Sequence, residues 1–193
     1  MIIKDTAKSN SFNSIFLFLL TNKLFLIISF SILTAIAAQV TIPVKPVPFT
    51  LQTVIVVLSG AFLGAKNGAY SQVLYLLLGI IGLPVFANTP DGLYGIGRLF
   101  GPTGGYLLAF PLAAFLTGYL IEKSNKYINV VLAMFAGNVL IIVLGVFYLD
   151  LILVHNFSES LKAGAVIFSL WTVIKVLASA GIYFSVKRYS NSR

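Results

Sequence analysis

The chain has 193 residues, 59% of them hydrophobic and 9% charged, with a formal net charge of +8 and no cysteine. Soluble domains carry about 25% charged residues, so this composition excludes an ordinary water-exposed globule and indicates a polytopic membrane protein. Without cysteine there is neither a disulfide framework nor a thiolate metal site.

Residues 1–14 are polar, and the apolar run "IFLFLL" that follows is interrupted by Thr21, Asn22 and Lys23 before it is long enough to span. The first spanning segment runs from Leu24 to about Val40. Its "AIAA" raises the alternative of a cleaved signal peptide, but such a signal would exceed the usual length of about 15–30 residues and no soluble domain follows it. "TIPVKPVPFT", with prolines at 43, 46 and 48, cannot continue a helix and reads as a loop.

Further spans are expected at Leu51–Leu63, Ala69–Leu83, Gly105–Ile121, Ile128–Leu149 and Ala163–Val186, the second and third being short and joined by "GAKNG". The expectation is an all-α protein with six transmembrane helices. Residues 1–23 form a polar or interfacial segment, 24–188 a single membrane domain and 189–193 a tail.

Six spans put both termini on one side of the bilayer. Nine cations then share the terminal side, Lys45, Arg98 and Lys162 lie opposite, and Lys175 falls inside the last span. Cytoplasmic loops are enriched in Lys and Arg, so both termini are placed in the cytoplasm of a multi-pass cell-membrane protein. This also accounts for most of the net charge without nucleic acid. Residues 41–50, 84–104 and 150–162 become the outer loops, where a transporter or receptor would meet a solute.

Lys175, in "WTVIKVLASAG", is the most informative single residue. An ammonium near the middle of a spanning helix costs about 2.5–3.5 kcal/mol on insertion scales, and residues 164–186 contain no carboxylate to offset it. It is also about 11 residues from either end of the span, too deep to snorkel easily at about 1.5 Å per residue. The reading is a cation that faces a cavity and pairs with an anionic ligand.

Arg98 sits in "NTPDGLYGIGRLFGPTGG" with Asn88, Asp91 and Tyr94. Its guanidinium suits a ligand carboxylate or a surface pair with Asp91, and the sequence leaves both open. Gln39, Gln52, Gln72 and Asn138 lie in or beside spans, where amides bridge helices or line a pocket. Phe49, Phe86, Tyr94, Tyr106 and Trp171 are candidate ligand walls, although interfacial belts account for most membrane aromatics. Ser31 with Ala35 and Thr34 with Ala38 set small residues four apart, which allows close approach by another helix of this chain or of a partner. Gly104 and Gly105 suggest a hinge where the chain turns into the following helix.

Enzymatic readings fare poorly. One histidine, His155, and no cysteine leave no His/Cys metal cluster, and no lysine directly follows a glycine, so the ATP-binding phosphate loop is absent. An intramembrane hydrolase needs a paired base inside the bilayer, and His155 falls in an outer loop. No metal site and no cofactor are expected.

"AQVTIPVKPVPFTLQT", "LYLLLGIIGLPVFA" and "LFGPTGGYLLAF" together resemble the BioY family, the biotin-capturing substrate-binding (S) components of energy-coupling factor (ECF) transporters, over about residues 31–181. The resemblance implies a non-enzymatic six-helix subunit with an outer biotin pocket capped by segments 41–52 and 83–104. It also implies partners: membrane lipid, a transmembrane coupling subunit and two ABC-type ATPases. The family's first helix docks on the coupling subunit through small residues, and Ser31, Thr34, Ala35 and Ala38 stand at that surface. In the last helix the family's Gly-Asp-x-x-Lys becomes Trp171, Thr172 and Lys175, so a hydroxyl replaces the carboxylate.

Biotin offers a carboxylate for Lys175 or Arg98, a ureido group for Gln52 or Asn88, and an apolar bicycle for Phe86 and Tyr106. Thr172 adds a hydrogen bond beside Lys175, and Asp91 or Asp150 can reach toward the cation. A capture subunit for another small anionic vitamin is the alternative reading, and an intramembrane enzyme the more distant one.

Overall fold

The computed structural model describes residues 22–42, 44–89, 92–166 and 168–191. The expected polar segment up to residue 21, Asp91 and the last two residues lie outside them. The described chain is mostly helical: α1 (Lys23–Gln39), α2 (Gln52–Ile80), α3 (Gly104–Lys123), α4 (Tyr127–Leu149), a short α5 (Phe157–Leu161) and α6 (Phe168–Asn191). By length and apolar composition, Gly104–Lys123 and Tyr127–Val154 are each able to cross a membrane.

The start of α1 is set by Asn22, whose side-chain oxygen accepts from the backbone N–H groups of Leu24 (3.0 Å) and Phe25 (3.3 Å). This satisfies two donors that have no partner within the helix. After α1 the proline-rich stretch is more ordered than the loop expected for it. Thr41–Ile42 (β1) pairs antiparallel with Phe49–Thr50 (β2), Thr41 opposite Thr50, and Leu51 N–H closes on the Val40 carbonyl at 3.2 Å.

Where two short spans are expected, the structure has one helical run folded sharply within it. Gly64 holds φ 78° and ψ 176°, a backbone conformation that in practice only glycine adopts. The break frees the N–H groups of the following turn, and the Glu122 carboxylate of α3 accepts from Ala65 N–H at 2.8 Å. The two arms of α2 fold back on each other, joined by side-chain bonds from Gln72 Nε2 to Ser59 Oγ (3.2 Å) and from Gln52 Nε2 to Tyr75 Oη (2.6 Å).

The small residues of α1 have a different role from the docking surface expected of them. Ser31, Thr34 and Ala38 are each 0% exposed, and Ala35 is half-buried against the core. Gln72 Nε2 donates to Thr34 Oγ1 at 3.2 Å, so small side chains bring α1 close to α2 inside this subunit. The face of α1 that stays exposed carries Ile28, Ile32, Leu33 and Ile36.

The expected loop at 150–162 is largely helical. Two π-helical turns, Asp150–Val154 and Lys162–Val166, flank α5, with His155 in the left-handed region at φ 53°. The last long helix therefore begins at Phe168 rather than near Ala163.

The apolar interior divides into two clusters. One, around Tyr75, Phe86, Tyr106, Phe110 and Ile141, lies at the end of the helices that carries the β1–β2 ribbon. The other, around Leu58, Met134, Val176 and Tyr183, lies toward the Gly64 fold and the α3–α4 connection. The candidate site opens in the first.

Candidate functional site

A cavity of about 640 Å³, counting its open mouth, lies between the β1–β2 ribbon, the segment after α2, and helices α3, α4 and α6. Val47, Phe86, Leu107, Phe110, Ile141 and Ile142 supply the apolar lining. Polar groups enter from four sides: Thr50, Gln52 and Thr53 at the start of α2, Thr89 and Arg98 from the following segment, Asn138 from α4, and Thr172 with Lys175 from α6.

Lys175 is 9% exposed, and its Nζ donates to Thr53 Oγ1 at 3.3 Å. Among the described residues no carboxylate pairs with it. Asp150, expected to reach toward it, instead accepts from Ser160 Oγ at 3.1 Å, while Glu122 is engaged at the Gly64 fold. Thr172 is buried one turn before Lys175 and lines the same cavity.

Arg98 is 5% exposed and donates from Nη2 to the Ala87 carbonyl. It lies in a 3₁₀ segment, Gly95–Phe100, which turns the side chain inward rather than to the surface. That segment is held against α3 and α4 by Tyr148 Oη, which donates to the Leu99 carbonyl at 2.6 Å. Gly104 is required at this junction by close approach: a Cβ there would overlap the Leu99 carbonyl. Neither Gly104 nor Gly105 has a positive φ, so close packing rather than backbone conformation calls for glycine at both positions.

The wall formed by residues 84–87 is tethered through four consecutive carbonyls. Gln39 Nε2 donates to Pro84 O (3.5 Å) and Phe86 O (3.4 Å), Tyr75 Oη to Val85 O (3.2 Å), and Arg98 to Ala87 O. Side chains from α1, α2 and the 3₁₀ segment thus fix an irregular stretch of backbone that no ladder holds. Buried carbonyls need such partners.

Of the residues expected at a site, the structure brings together Lys175, Arg98, Thr172, Gln52, Phe86 and Tyr106 around the one cavity. Asn88 is exposed and outside the lining, because the chain turns its neighbour Thr89 inward instead. Asp91 lies outside the described residues. Trp171 is 47% exposed and Tyr94 82% exposed, so neither walls the cavity. Asn138 donates to the Met134 carbonyl of its own helix at 2.9 Å while also lining the cavity. The residues missed include Thr50, Thr53, Thr89 and Thr103 of the lining and Tyr75 behind it, and their signal is slight: single hydroxyls in otherwise apolar or proline-flanked runs. His155 is exposed, and among the described residues no three His, Cys, Asp or Glu side chains gather as a metal site.

Comparison with known proteins gives the family of the chain. The chain is 40% identical to the biotin transporter BioY of Thermotoga maritima over 164 residues, covering 85% of this chain and 95% of that protein. It is 38% identical to the biotin transporter BioY2 of Lactococcus lactis over 144 residues, covering 74% of this chain and 78% of the relative. Its fold matches the crystal structure of the S-component for biotin from an ECF-type ABC transporter with a TM-score of 0.78, at 25% identity over 86% of this chain and 90% of the other. A sequence model of the BioY family matches residues 6–192, and with these likenesses it shows that the chain belongs to the BioY family.

Proposed function

We propose that this chain captures biotin for uptake across the cytoplasmic membrane, as the substrate-binding subunit of an ECF-type ABC transporter. The relatives named biotin transporters and the solved biotin S-component support this reading. The observation in this chain that carries it is Lys175, a buried cation that faces a small-molecule cavity and is paired with no carboxylate among the described residues. A ligand carboxylate supplies the missing charge, and exclusion of water strengthens the pair.

Biotin fits the remaining lining. Its carboxylate suits Lys175 or Arg98, its bicycle the apolar wall, and its ureido group the amides and hydroxyls. Binding and translocation involve no covalent step in this chain and use no metal or cofactor. The reading includes six membrane-crossing helices with cytoplasmic termini, supported by the Lys and Arg asymmetry of the connections. The cavity then opens outward. The reading also includes ATP hydrolysis in two partner ATPases, joined through a transmembrane coupling subunit, and the absence of a phosphate loop from this chain supports it.

Equilibrium binding of biotin to the purified protein in detergent tests the reading, with thiamine, riboflavin and lipoate as competitors. Saturable binding of one biotin per chain, resistant to the other three, is the expected result. If biotin does not bind saturably while another vitamin does, the chain serves a different substrate.

A further inference from the structure

The hydrogen-bond chain behind the cavity has one direction that gives every carbonyl, hydroxyl and amide in it a partner. Val85 O is a carbonyl and can only accept, so Tyr75 Oη, 3.2 Å away, donates its single hydrogen there. Toward Gln52 the Tyr75 oxygen must therefore accept, and the Gln52 atom at 2.6 Å must be Nε2 rather than Oε1. The other end of the amide agrees. Thr50 Oγ1 accepts from Gln52 N–H at 3.3 Å, which leaves its hydrogen to donate to Gln52 Oε1 at 2.9 Å.

With Oε1 turned to Thr50 and one Nε2 hydrogen used on Tyr75, Gln52 keeps one N–H on a side chain that is 4% exposed and lines the cavity. Rotating the amide would set its oxygen against the Tyr75 oxygen, whose hydrogen is committed elsewhere. Tyr75 is itself held in place. It is 0% exposed, with its ring edge-on to Phe86 at 5.5 Å and stacked on Phe110 at 6.3 Å.

We infer that Tyr75 is a positioning residue that orients Gln52 as an obligatory donor, so that this point of the cavity selects a ligand acceptor over a ligand donor. This inference rests on the biotin reading above. Lys175 and Arg98 suit the carboxylate, so the acceptor meeting Gln52 is the ureido oxygen. Discrimination by a fixed donor is strong because a ligand presenting another donor leaves both groups unpaired out of water.

The test compares biotin with 2-iminobiotin on the purified full-length chain in detergent. In 2-iminobiotin a C=NH group, protonated at neutral pH, replaces the ureido carbonyl and presents only donors. The wild type is expected to prefer biotin by about 100-fold. Tyr75→Phe keeps the ring and every formal charge but lets the amide rotate, and the preference is expected to narrow to about tenfold. Gln52→Met, a second neutral variant, is expected to narrow it similarly.

Thr50→Val leaves the Val85–Tyr75 direction intact and is expected to weaken biotin while keeping the preference. A preference unchanged in folded Tyr75→Phe or Gln52→Met, with biotin still bound, shows that Tyr75 only supports the fold and overturns the inference alone. If the wild type fails to bind biotin, the inference and the biotin reading fall together.

Discussion

Lys175 Nζ donates to Thr53 Oγ1 at 3.3 Å, joining the last long helix to the first turn of α2 across 122 residues of sequence. A hydroxyl can accept from an ammonium but cannot neutralise it. The contact therefore positions the cation without cancelling its charge, and it leaves the remaining Nζ hydrogens for another acceptor.

Replacing this residue should separate binding from folding. Lys175→Met keeps the unbranched stem and removes a buried charge that is costly when unliganded. Biotin affinity is expected to fall about 100-fold, the loss of a charge-assisted bond of about 2–3 kcal/mol. Thermal unfolding of the unliganded protein should be unchanged or slightly improved. Calorimetric binding and unfolding in detergent check both, and equal affinity in the variant would make the lysine structural.

Glu122 lies at the opposite end of the molecule and should behave in the opposite way. Its carboxylate accepts from Ala65 N–H at 2.8 Å, where Gly64 breaks α2. Glu122→Ala is expected to destabilise the fold by about 1–2 kcal/mol, as loss of a helix cap does. Biotin affinity of the folded protein should stay the same, as a denaturation series run beside a binding titration will show.

Gly104 should link stability to binding. A Cβ at this position meets the Leu99 carbonyl, one residue beyond Arg98. Gly104→Ala is expected to cost about 1–3 kcal/mol through forced displacement of packed backbone. It should also weaken biotin, because the displaced segment carries Arg98. If unfolding shifts while affinity does not, the 3₁₀ segment moves without disturbing the cavity.

Gln72 is fully buried and bonds Thr34, Ser59 and Ser71 at 3.2, 3.2 and 3.1 Å. Gln72→Leu removes this link between α1 and both arms of α2. Polar contacts between helices in a bilayer are worth about 0.6–1.7 kcal/mol, so a loss of about 1–2 kcal/mol is expected in detergent unfolding.

Particular residues show why some features were readable from sequence and others were not. Lys175 was legible because its meaning follows from one-dimensional facts, a charge deep in an apolar run with no carboxylate within a helical turn. Arg98 was only half legible. Sequence left it either surface-paired or pocket-facing, and the choice depended on a 3₁₀ turn that rotates it inward. Asn88 and Thr89 are adjacent polar residues in an irregular segment, where no periodicity says which faces the cavity. Ser31, Thr34 and Ala38 announce a close helix approach, but the spacing is the same whether the approaching helix belongs to this chain or to another. Tyr75 was overlooked because its role comes from Gln52 and Val85, brought to its hydroxyl by the fold at Gly64.

The sequence by itself therefore determined the solvent, the helical class, the family resemblance and the buried cation. Composition, run length and local breakers act through the energy of each segment alone. Only the tertiary structure decided which polar groups share the cavity, which small residues are consumed by internal packing, and which way the Gln52 amide points. Those outcomes depend on hydrogen-bond partners and close contacts between segments far apart in the chain.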